Sequence, residues 1–339
     1  MPRVDYDTIK KQVAEFVSTW RSHDTGILDQ LFYEDVSSII SVAPGSNYGW
    51  DRLEGVRKFV ETYPRTDYLQ MSIYNFACRL WGEEAHQSAI VICESEKCVE
   101  GQEALDVLYY SVQIVTHWIK KDGVWKASEL RLDVNPYTRT SDAIYDYFCK
   151  TWHFGNQKAY PIEGQRTPAV VGELDSPWIR MPQAEDVLTE IEQIKDCANQ
   201  MYFGADYLIQ DQRLAMRSRH LFTNSERYGL DEGRRKVVSD MRYKRQKVRY
   251  WCHPFRYIDA TFNEDHTRCR INFNRVFGWE QRNHEYVWTK ENVNTEHHCM
   301  VGVYEFIRED GIWKLSMAQA KLGLHETGPY SESLYGDVI

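Results

Sequence analysis

The chain has 339 residues, a net charge of −9 and 42% hydrophobic residues. This length exceeds one typical domain and predicts two domains, each large enough to bury its own core. The apolar segments are all shorter than the roughly 20 residues that a membrane helix needs. The acidic balance argues against a nucleic-acid partner, and the charged, amphipathic start of the chain lacks a secretory signal. We therefore expect a cytoplasmic protein whose eight cysteines stay reduced.

In the first half of the chain, helical periodicity gives way to strand patterns. Apolar residues at helical spacing predict a helix over 9–20, and a second, short helix follows the break at 23–26. A β-rich stretch at 36–42 and a helix over 51–63 come next. Long strands are predicted over 70–80, 85–94, 104–120 and 124–134. Helices followed by an antiparallel meander predict an α+β domain, with the helices packed on one face of a sheet.

The same order recurs in the second half, where four segments repeat at a nearly constant spacing. Segment 119–126, IKKDGVWK, resembles 307–314, IREDGIWK, and segment 46–58 resembles 225–236. Shorter matches join 27–30 to 209–212 and 81–84 to 262–265. One duplication with small insertions explains these pairs.

The repeat predicts the domain limits. We expect domains over 1–135 and 185–327, an ordered connecting segment over 136–184, and a C-terminal tail over 328–339. The connecting segment is rich in proline and in aromatic residues, which predicts that it is buried against a domain and could cover a pocket. A basic stretch at 234–249 is interpreted as a solvated helix face or an anion-facing loop.

Several short motifs of the first copy occur in the order of one known family. They are His23-Asp24, the stretch LFYEDV at 31–36, Glu54-Gly55, Trp81-Gly82 and the stretch DGVWK at 122–126. Together they resemble the NTF2-like (SnoaL-like) superfamily. The resemblance implies two tandem cone-shaped α+β domains, each with a pocket between the helices and a curved antiparallel sheet. Members include ketosteroid isomerases, polyketide cyclases, scytalone and bile-acid dehydratases, and transport adaptors without chemistry, so the fold alone does not define an activity.

The catalytic positions of this family are largely changed. The family's first-helix tyrosine is replaced by Phe16 in the first copy and by Ala198 in the second. Its dehydratase aspartate is replaced by Arg21 and Phe203. Its isomerase base is replaced by Ile40 and Phe222. The family histidine at the entry to the second strand is Met71 in the first copy, whereas His253 lies within one residue of that position in the second.

Other acid–base groups remain as candidates for proton transfer. The catalytic candidates are His253, His86, His117, Asp206, Asp24 and Tyr202. His86 can approach His117 if their strands pair. Asp24 and Asp206 occupy matching helix ends, where each is either a structural cap or part of a pocket wall.

Aromatic and polar residues at matching places are candidates for binding the substrate. They are Trp20, Arg21, Tyr48, Tyr109, Tyr228, His297 and Glu305. The polar side chains that share one face of the predicted strand from Tyr109 to His117 form either the solvent face of a sheet or the lining of a pocket. Arg21 is either a solvated side chain or a partner for an anionic ligand group.

Metal and cofactor sites are not expected. His297 and His298 are adjacent on a strand and therefore point to opposite faces, and no phosphate-binding glycine loop is present in the sequence. Three functions stay open. The chain is a cofactor-free lyase or isomerase of dehydratase, hydratase or cyclase type for an aromatic or polycyclic molecule, a non-catalytic binding or scaffold protein, or a structural subunit whose two copies form a pseudo-dimer. A homo-oligomer is possible in each case.

Overall fold

The computed structural model describes residues 2–42, 46–62, 65–98, 105–139, 169–184, 186–225, 229–245, 248–282 and 295–327. These residues form two compact units that meet in the sequence between Val187 and Leu188, here named the first and the second unit. Most of the predicted connecting segment and the whole predicted tail lie outside the described residues. None of the described helices has the length and apolar character needed to cross a membrane.

The first unit begins with helices and continues as a sheet. Its first helices are α1 (Pro2–Ser22), α2 (Leu28–Leu31) and α3 (Arg52–Thr62). Its strands are β1 (Phe32–Val42), β2 (Ser46–Asp51), β3 (Tyr68–Trp81), β4 (Glu84–Cys98), β5 (Leu105–Lys121) and β6 (Val124–Arg139). The strand order is β2-β1-β6-β5-β4-β3, in which only the β1–β6 pair is parallel. Two short helices of the predicted connecting segment complete the unit, α4 (Gly172–Asp175) and α5 (Pro177–Arg180).

Helix α1 covers one face of the first sheet with the apolar side that its periodicity predicts. Phe16 packs edge-on against Phe32, and the ring centroids of Trp20 and Phe59 are 5.1 Å apart. Asp5 of this helix accepts hydrogen bonds from Lys120 Nζ and Trp125 Nε1, each at 2.8 Å. Because side chains alternate along a strand, Trp118 lies on the same helix-covered face as Lys120.

The second unit repeats this order. Its helices are α6 (Glu190–Asp206), α7 (Gln210–Ala215) and α8 (Arg234–Arg245). Its strands are β7 (Arg217–Ser225), β8 (Gly229–Glu232), β9 (Val248–Cys252), β10 (Arg256–Phe262), β11 (Arg268–Arg282), β12 (Thr295–Glu309) and β13 (Ile312–Thr327). The order is β10-β11-β12-β13-β7-β8, with β9 also paired to β11. The last strand β13 runs parallel to the first strand β7, as β6 does to β1.

One strand of the first unit is represented by two in the second. Strand β3 pairs with β4 from Tyr68 to Trp81, across a bulge. In the second unit, β9 and β10 pair with separate parts of β11, and residues 253–255 lie between them outside any strand. Pro254 lies in this gap and has no backbone N–H to donate to a ladder. The gap therefore frees His253 from the sheet.

The predicted fold class of two tandem α+β domains, with helices packed on antiparallel sheets, is confirmed by the element order of both units. The repeated Asp-Gly motif forms the same tight turn in each, with positive φ at Asp122 and Gly123 and at Asp310 and Gly311. One detail of the prediction is wrong. Strand β1 begins at Phe32, four residues before the predicted β-rich stretch at 36–42, and the Phe32 ring packs in the core beside Phe16.

Gly302 is required by close packing in the second sheet. A Cβ atom at this position would overlap the Gln319 carbonyl oxygen and lie 2.8 Å from Phe273 Cζ. We expect Gly302→Ala to lower the free energy of unfolding by about 1–3 kcal/mol, because the core has to move to admit the methyl group. The measurement is urea denaturation. The neighbouring Val301→Ala, at a side chain that is 47% exposed, is the matched control and should change stability by less than about 0.5 kcal/mol. Equal stability of Gly302→Ala and the unmodified chain would contradict this packing.

Candidate functional site

A buried carboxylate and imidazole pair joins α6 to the gap in the second sheet. Asp206, the last residue of α6, bonds the His253 ring through a short Oδ1 to Nδ1 contact. Its other oxygen, Oδ2, accepts the His253 backbone N–H at 3.2 Å. Both residues are buried, with exposed fractions of 7% and 6%. The carboxylate accepts the Nδ1 proton, and in the neutral ring this tautomer leaves Nε2 as the basic nitrogen.

The ends of α6 explain why Asp206 reaches this place. Thr189 accepts a hydrogen bond from the Glu192 backbone, and Glu192 accepts one from the Thr189 backbone, so a capping box begins the helix. After Asp206 the chain turns through Leu208, whose φ is 63°, and the Ile209 N–H returns to the Gly204 carbonyl at 2.8 Å. The helix therefore stops at the carboxylate that holds the histidine.

Two tyrosines lie against this pair. The Tyr202 ring, one helical turn before Asp206, lies 4.8 Å from the His253 ring between centroids. The Tyr202 hydroxyl forms a short hydrogen bond with the hydroxyl of Tyr304 on β12. Burial raises the pKa of Tyr304 well above its ordinary value, and the Tyr202 neighbour raises it further. Both effects keep Tyr304 protonated, so it can donate a hydrogen bond but cannot serve as a base at neutral pH.

Apolar rings surround the tyrosines. Phe255 lies 4.2 Å from the Tyr202 ring, and Phe273 lies 4.1 Å from the Tyr304 ring. Tyr257 is on the same face, and its buried hydroxyl has no hydrogen-bond partner among the described residues. Burial raises the pKa of Tyr257 well above its ordinary value. The arrangement brings one base, a hydrogen-bonded pair of phenols and a further phenol into an apolar setting.

The corresponding place in the first unit is built differently. Trp20, which matches Tyr202 in sequence, is fully buried against Phe59. Asp24 is exposed and accepts the Gly26 backbone N–H at 2.9 Å, which stabilises the turn after α1. Arg21 is exposed. The first unit thus places Asp24 in a turn, while the neighbouring His23 ring contacts the Val60 carbonyl oxygen at 3.0 Å through Nδ1.

His86 and His117 come together on the other face of the first sheet. They are direct partners on β4 and β5, with ring centroids 5.9 Å apart. Because His117 neighbours Trp118 on an extended strand, it faces away from α1. Helix α5 lies on this face, where Arg180 donates to His86 Nε2 at 3.0 Å and to Glu129 at 2.9 Å. Glu84 contacts the His117 ring at 3.2 Å.

The Arg180 contact defines the protonation state of His86. Arginine can only donate, so His86 Nε2 accepts and the ring proton is on Nδ1. Nδ1 is buried, and no residue within the described ranges accepts its proton. Burial, and then the charge of Arg180, hold the pKa of His86 well below its ordinary value. Burial opposes ionisation of Glu129, yet its Arg180 partner lowers the pKa of that carboxyl. His86 is a neutral group, and its contacts are those of a residue that helps to attach α5.

The remaining candidates for substrate binding are not brought together by the described residues. Glu305 follows Tyr304 on β12, lies on the opposite face, and pairs with Arg268 at 3.4 Å. Tyr228 lies outside the described residues. The side chains of Tyr48, Tyr109 and His297 lie outside them as well, although their strands are described, and the roles predicted for these residues stay predictions.

Sequence reasoning missed Tyr304 and Arg275. Tyr304 lies on the face of β12 opposite to the candidate Glu305, and in the sequence it resembles an ordinary core aromatic residue. The sequence does mark Arg275, because it is the charged residue that follows Cys269, Ile271 and Phe273 at alternate positions of one strand. A single charged residue in an apolar row of a strand is a better indicator of a site than a stripe of polar residues.

The buried, neutral His86 predicts a pH dependence of stability. Its folded-state pKa is lowered, so below about pH 6.5 the unfolded chain binds a proton that the folded chain does not. Stability should therefore fall as the pH falls below that value, with a slope approaching about 1.4 kcal/mol per pH unit. His86→Gln should flatten this decline in urea denaturation, whereas His266→Gln, at an exposed histidine, should retain it. Identical declines in both variants would be inconsistent with a neutral His86.

Comparisons with known proteins find solved structures that are similar to parts of this chain. No family model and no curated protein matches the chain. A proposed scytalone dehydratase from Novosphingobium aromaticivorans is similar over 48% of this chain and 96% of its own, at 18% identity and a TM-score of 0.32. A hexachlorocyclohexane dehydrochlorinase from Novosphingobium barchaimii is similar over 41% of this chain and 90% of its own, at 14% identity and a TM-score of 0.33.

A proposed dehydratase of the NTF2-like family from Streptomyces avermitilis is similar over 40% of this chain and 96% of its own, at 11% identity and a TM-score of 0.33. Such values support no conclusion about activity. The activity of this chain has to be inferred from its own site.

Proposed function

We propose that the second unit is an acid–base enzyme, a lyase or isomerase, in which His253 removes a proton from a carbon atom of an aromatic or polycyclic molecule. The observation that carries the proposal is the buried Asp206–His253 pair beside the Tyr202–Tyr304 hydroxyl pair. Asp206 orients the ring and stabilises the imidazolium that forms when Nε2 accepts the proton. The tyrosine pair supports the proposal because neutral phenols donate hydrogen bonds to an oxygen that gains charge.

The proposed chemistry begins with one shared step. His253 Nε2 takes the proton from a carbon next to a carbonyl group, and the electron pair of the C–H bond forms an enolate whose oxygen accepts a bond from the tyrosine pair. In a dehydration, the electrons of the enolate then form a carbon–carbon double bond while a β-hydroxyl group leaves, and the imidazolium proton completes the water molecule. In an isomerisation, the same proton returns to another carbon. Both routes balance without an oxidant or reductant and need no cofactor.

The aromatic packing supports a second candidate function. Phe255 contacts both Tyr202 and Phe273, at 4.2 and 5.1 Å between ring centroids, so aromatic side chains fill space between α6 and the sheet. A domain filled in this way suits a non-catalytic protein that binds an aromatic ligand or serves as a scaffold. Ligand binding without turnover would favour this candidate.

The test of the enzyme proposal combines a substrate screen with two variants. Hydroxylated aromatic ketones of tetralone and steroid type are incubated with the chain in D₂O, and loss of water or uptake of deuterium is followed by mass spectrometry. With a compound that is turned over, His253→Gln should lower kcat by about 10²–10⁴-fold, because the general base is lost. Tyr304→Phe should lower it by about 10²–10³-fold, because one donor to the oxyanion is lost.

The matched control is His266→Gln. His266 is an exposed histidine of the same unit that pairs with Glu190 at 2.7 Å, and its loss should leave kcat unchanged. Full activity of His253→Gln would refute the proposed base. Binding of the ketones with no chemical change in any of them would favour the non-catalytic candidate.

A further inference from the structure

Arg275 is a buried cation on the helix-covered face of the second sheet. It lies on β11 two residues after Phe273 and therefore on the same face, and only 5% of its surface is exposed. Its direct cross-strand partner on β12 is Met300. Met300, Gly302 and Tyr304 are alternate residues of β12 and therefore share this face. The guanidinium thus belongs to the region that holds the tyrosine pair.

The described protein does not neutralise this charge. Arg275 Nη2 donates to Met300 Sδ at 2.9 Å, and Arg275 Nε is buried without an acceptor. Among the ion pairs of the described residues, none includes Arg275. A thioether is only a weak acceptor, and a buried charge without a partner is costly. A bound anion would neutralise the guanidinium and remove this cost.

The surroundings define the kind of anion. The charge of Arg275 reaches Tyr304, where it opposes the effect of burial on the pKa of the phenol. Both oxygens of Asp206 are bonded to His253. On β11, Phe273 lies between Arg275 and Ile271, the cross-strand partner of Tyr304, and its ring centroid is 4.1 Å from that of Tyr304. A planar guanidinium suits the two oxygens of one carboxylate, and the rings suit an aromatic group.

We propose that Arg275 is the binding site for a carboxylate group of the ligand, so that the second unit takes aromatic carboxylates. This inference deepens the proposed function and rests on it for the statement that the bound molecule is a substrate. The carboxylate lies against the guanidinium and the aromatic ring against Phe273 and Tyr304. The reacting carbon is then directed toward His253. Tyr202 contacts both His253 and Tyr304 and so lies between the base and this region.

The test compares two ligands that differ in charge, 2-naphthoate and 2-naphthamide, by isothermal titration calorimetry with the full chain. The unmodified chain should bind 2-naphthoate at least about tenfold more tightly, because the charged hydrogen bonds to Arg275 exist only with the carboxylate. Arg275→Met should reduce this ratio to about one, whereas Arg275→Lys, which keeps the charge but loses the planar fork, should retain part of it.

A second readout separates binding from a structural role. Without ligand, Arg275→Met should have a Tm equal to or above that of the unmodified chain, since it removes a buried unpaired charge. A lowered Tm together with an unchanged ligand ratio would overturn the proposal and assign Arg275 to packing. If Arg275→Met does not fold, the ratio for Arg275→Lys decides.

Two further variants complete the design. Arg268→Met removes an arginine of the same strand that is exposed and paired with Glu305, and it should keep the full preference for the carboxylate. His253→Gln should also keep it, so that failure of the proposed reaction can be told apart from failure of the anion site. Equal binding of the two ligands by the unmodified chain, or no binding of 2-naphthoate, would contradict the proposal.

Discussion

Asp206 connects the end of α6 to the gap between β9 and β10 through two hydrogen bonds to one residue, His253. The arrangement depends on three local features that have to coincide. The helix must stop at Asp206, the strand must be interrupted at Pro254, and the connection between them must be buried so that water does not compete for the carboxylate. Once these conditions hold, the histidine has a defined tautomer and a defined ring orientation. The tyrosine pair and the aromatic rings are then arranged around a fixed imidazole.

The two units share one arrangement of helix and sheet but differ in the residues at the end of the first long helix. Both begin with a helix on an antiparallel sheet, and both pair their last strand parallel to their first. In the first unit the place of Tyr202 is taken by Trp20, which packs against Phe59, and Asp24 stabilises a turn. The first unit instead carries its titratable cluster on the opposite face, where Arg180 holds α5 against His86 and Glu129. We interpret this cluster as structural, since the buried histidine is neutral and its acceptor nitrogen is occupied.

Much of the fold could be predicted because it depends on short-range patterns. Helical spacing of apolar residues located α1, alternation located the long strands, and the repeated Asp-Gly turns indicated the duplication. His253 could be singled out only by its place relative to a family pattern. Tyr304 could not be assigned to a site, because alternation shows which residues share a face but not which face a helix covers, whereas the charge of Arg275 in an apolar row of the strand was visible in the sequence. Glu305 and His117 lie on the sheet faces opposite to those that carry Tyr304 and Trp118. The short hydroxyl contact between Tyr202 and Tyr304 joins residues far apart in the sequence and has no local signal.

The central claim is that Asp206 holds the His253 ring with a proton on Nδ1, so that Nε2 is the nitrogen that accepts a proton. The most direct measurement is a long-range ¹H–¹⁵N spectrum of the full chain labelled at histidine nitrogen, recorded slightly above neutral pH. The account predicts a protonated Nδ1 and an unprotonated Nε2 for His253, and a changed tautomer balance in Asp206→Asn, because the amide can donate to the ring as well as accept from it. A proton on Nε2 of His253, or a spectrum that Asp206→Asn leaves unaltered, would contradict it.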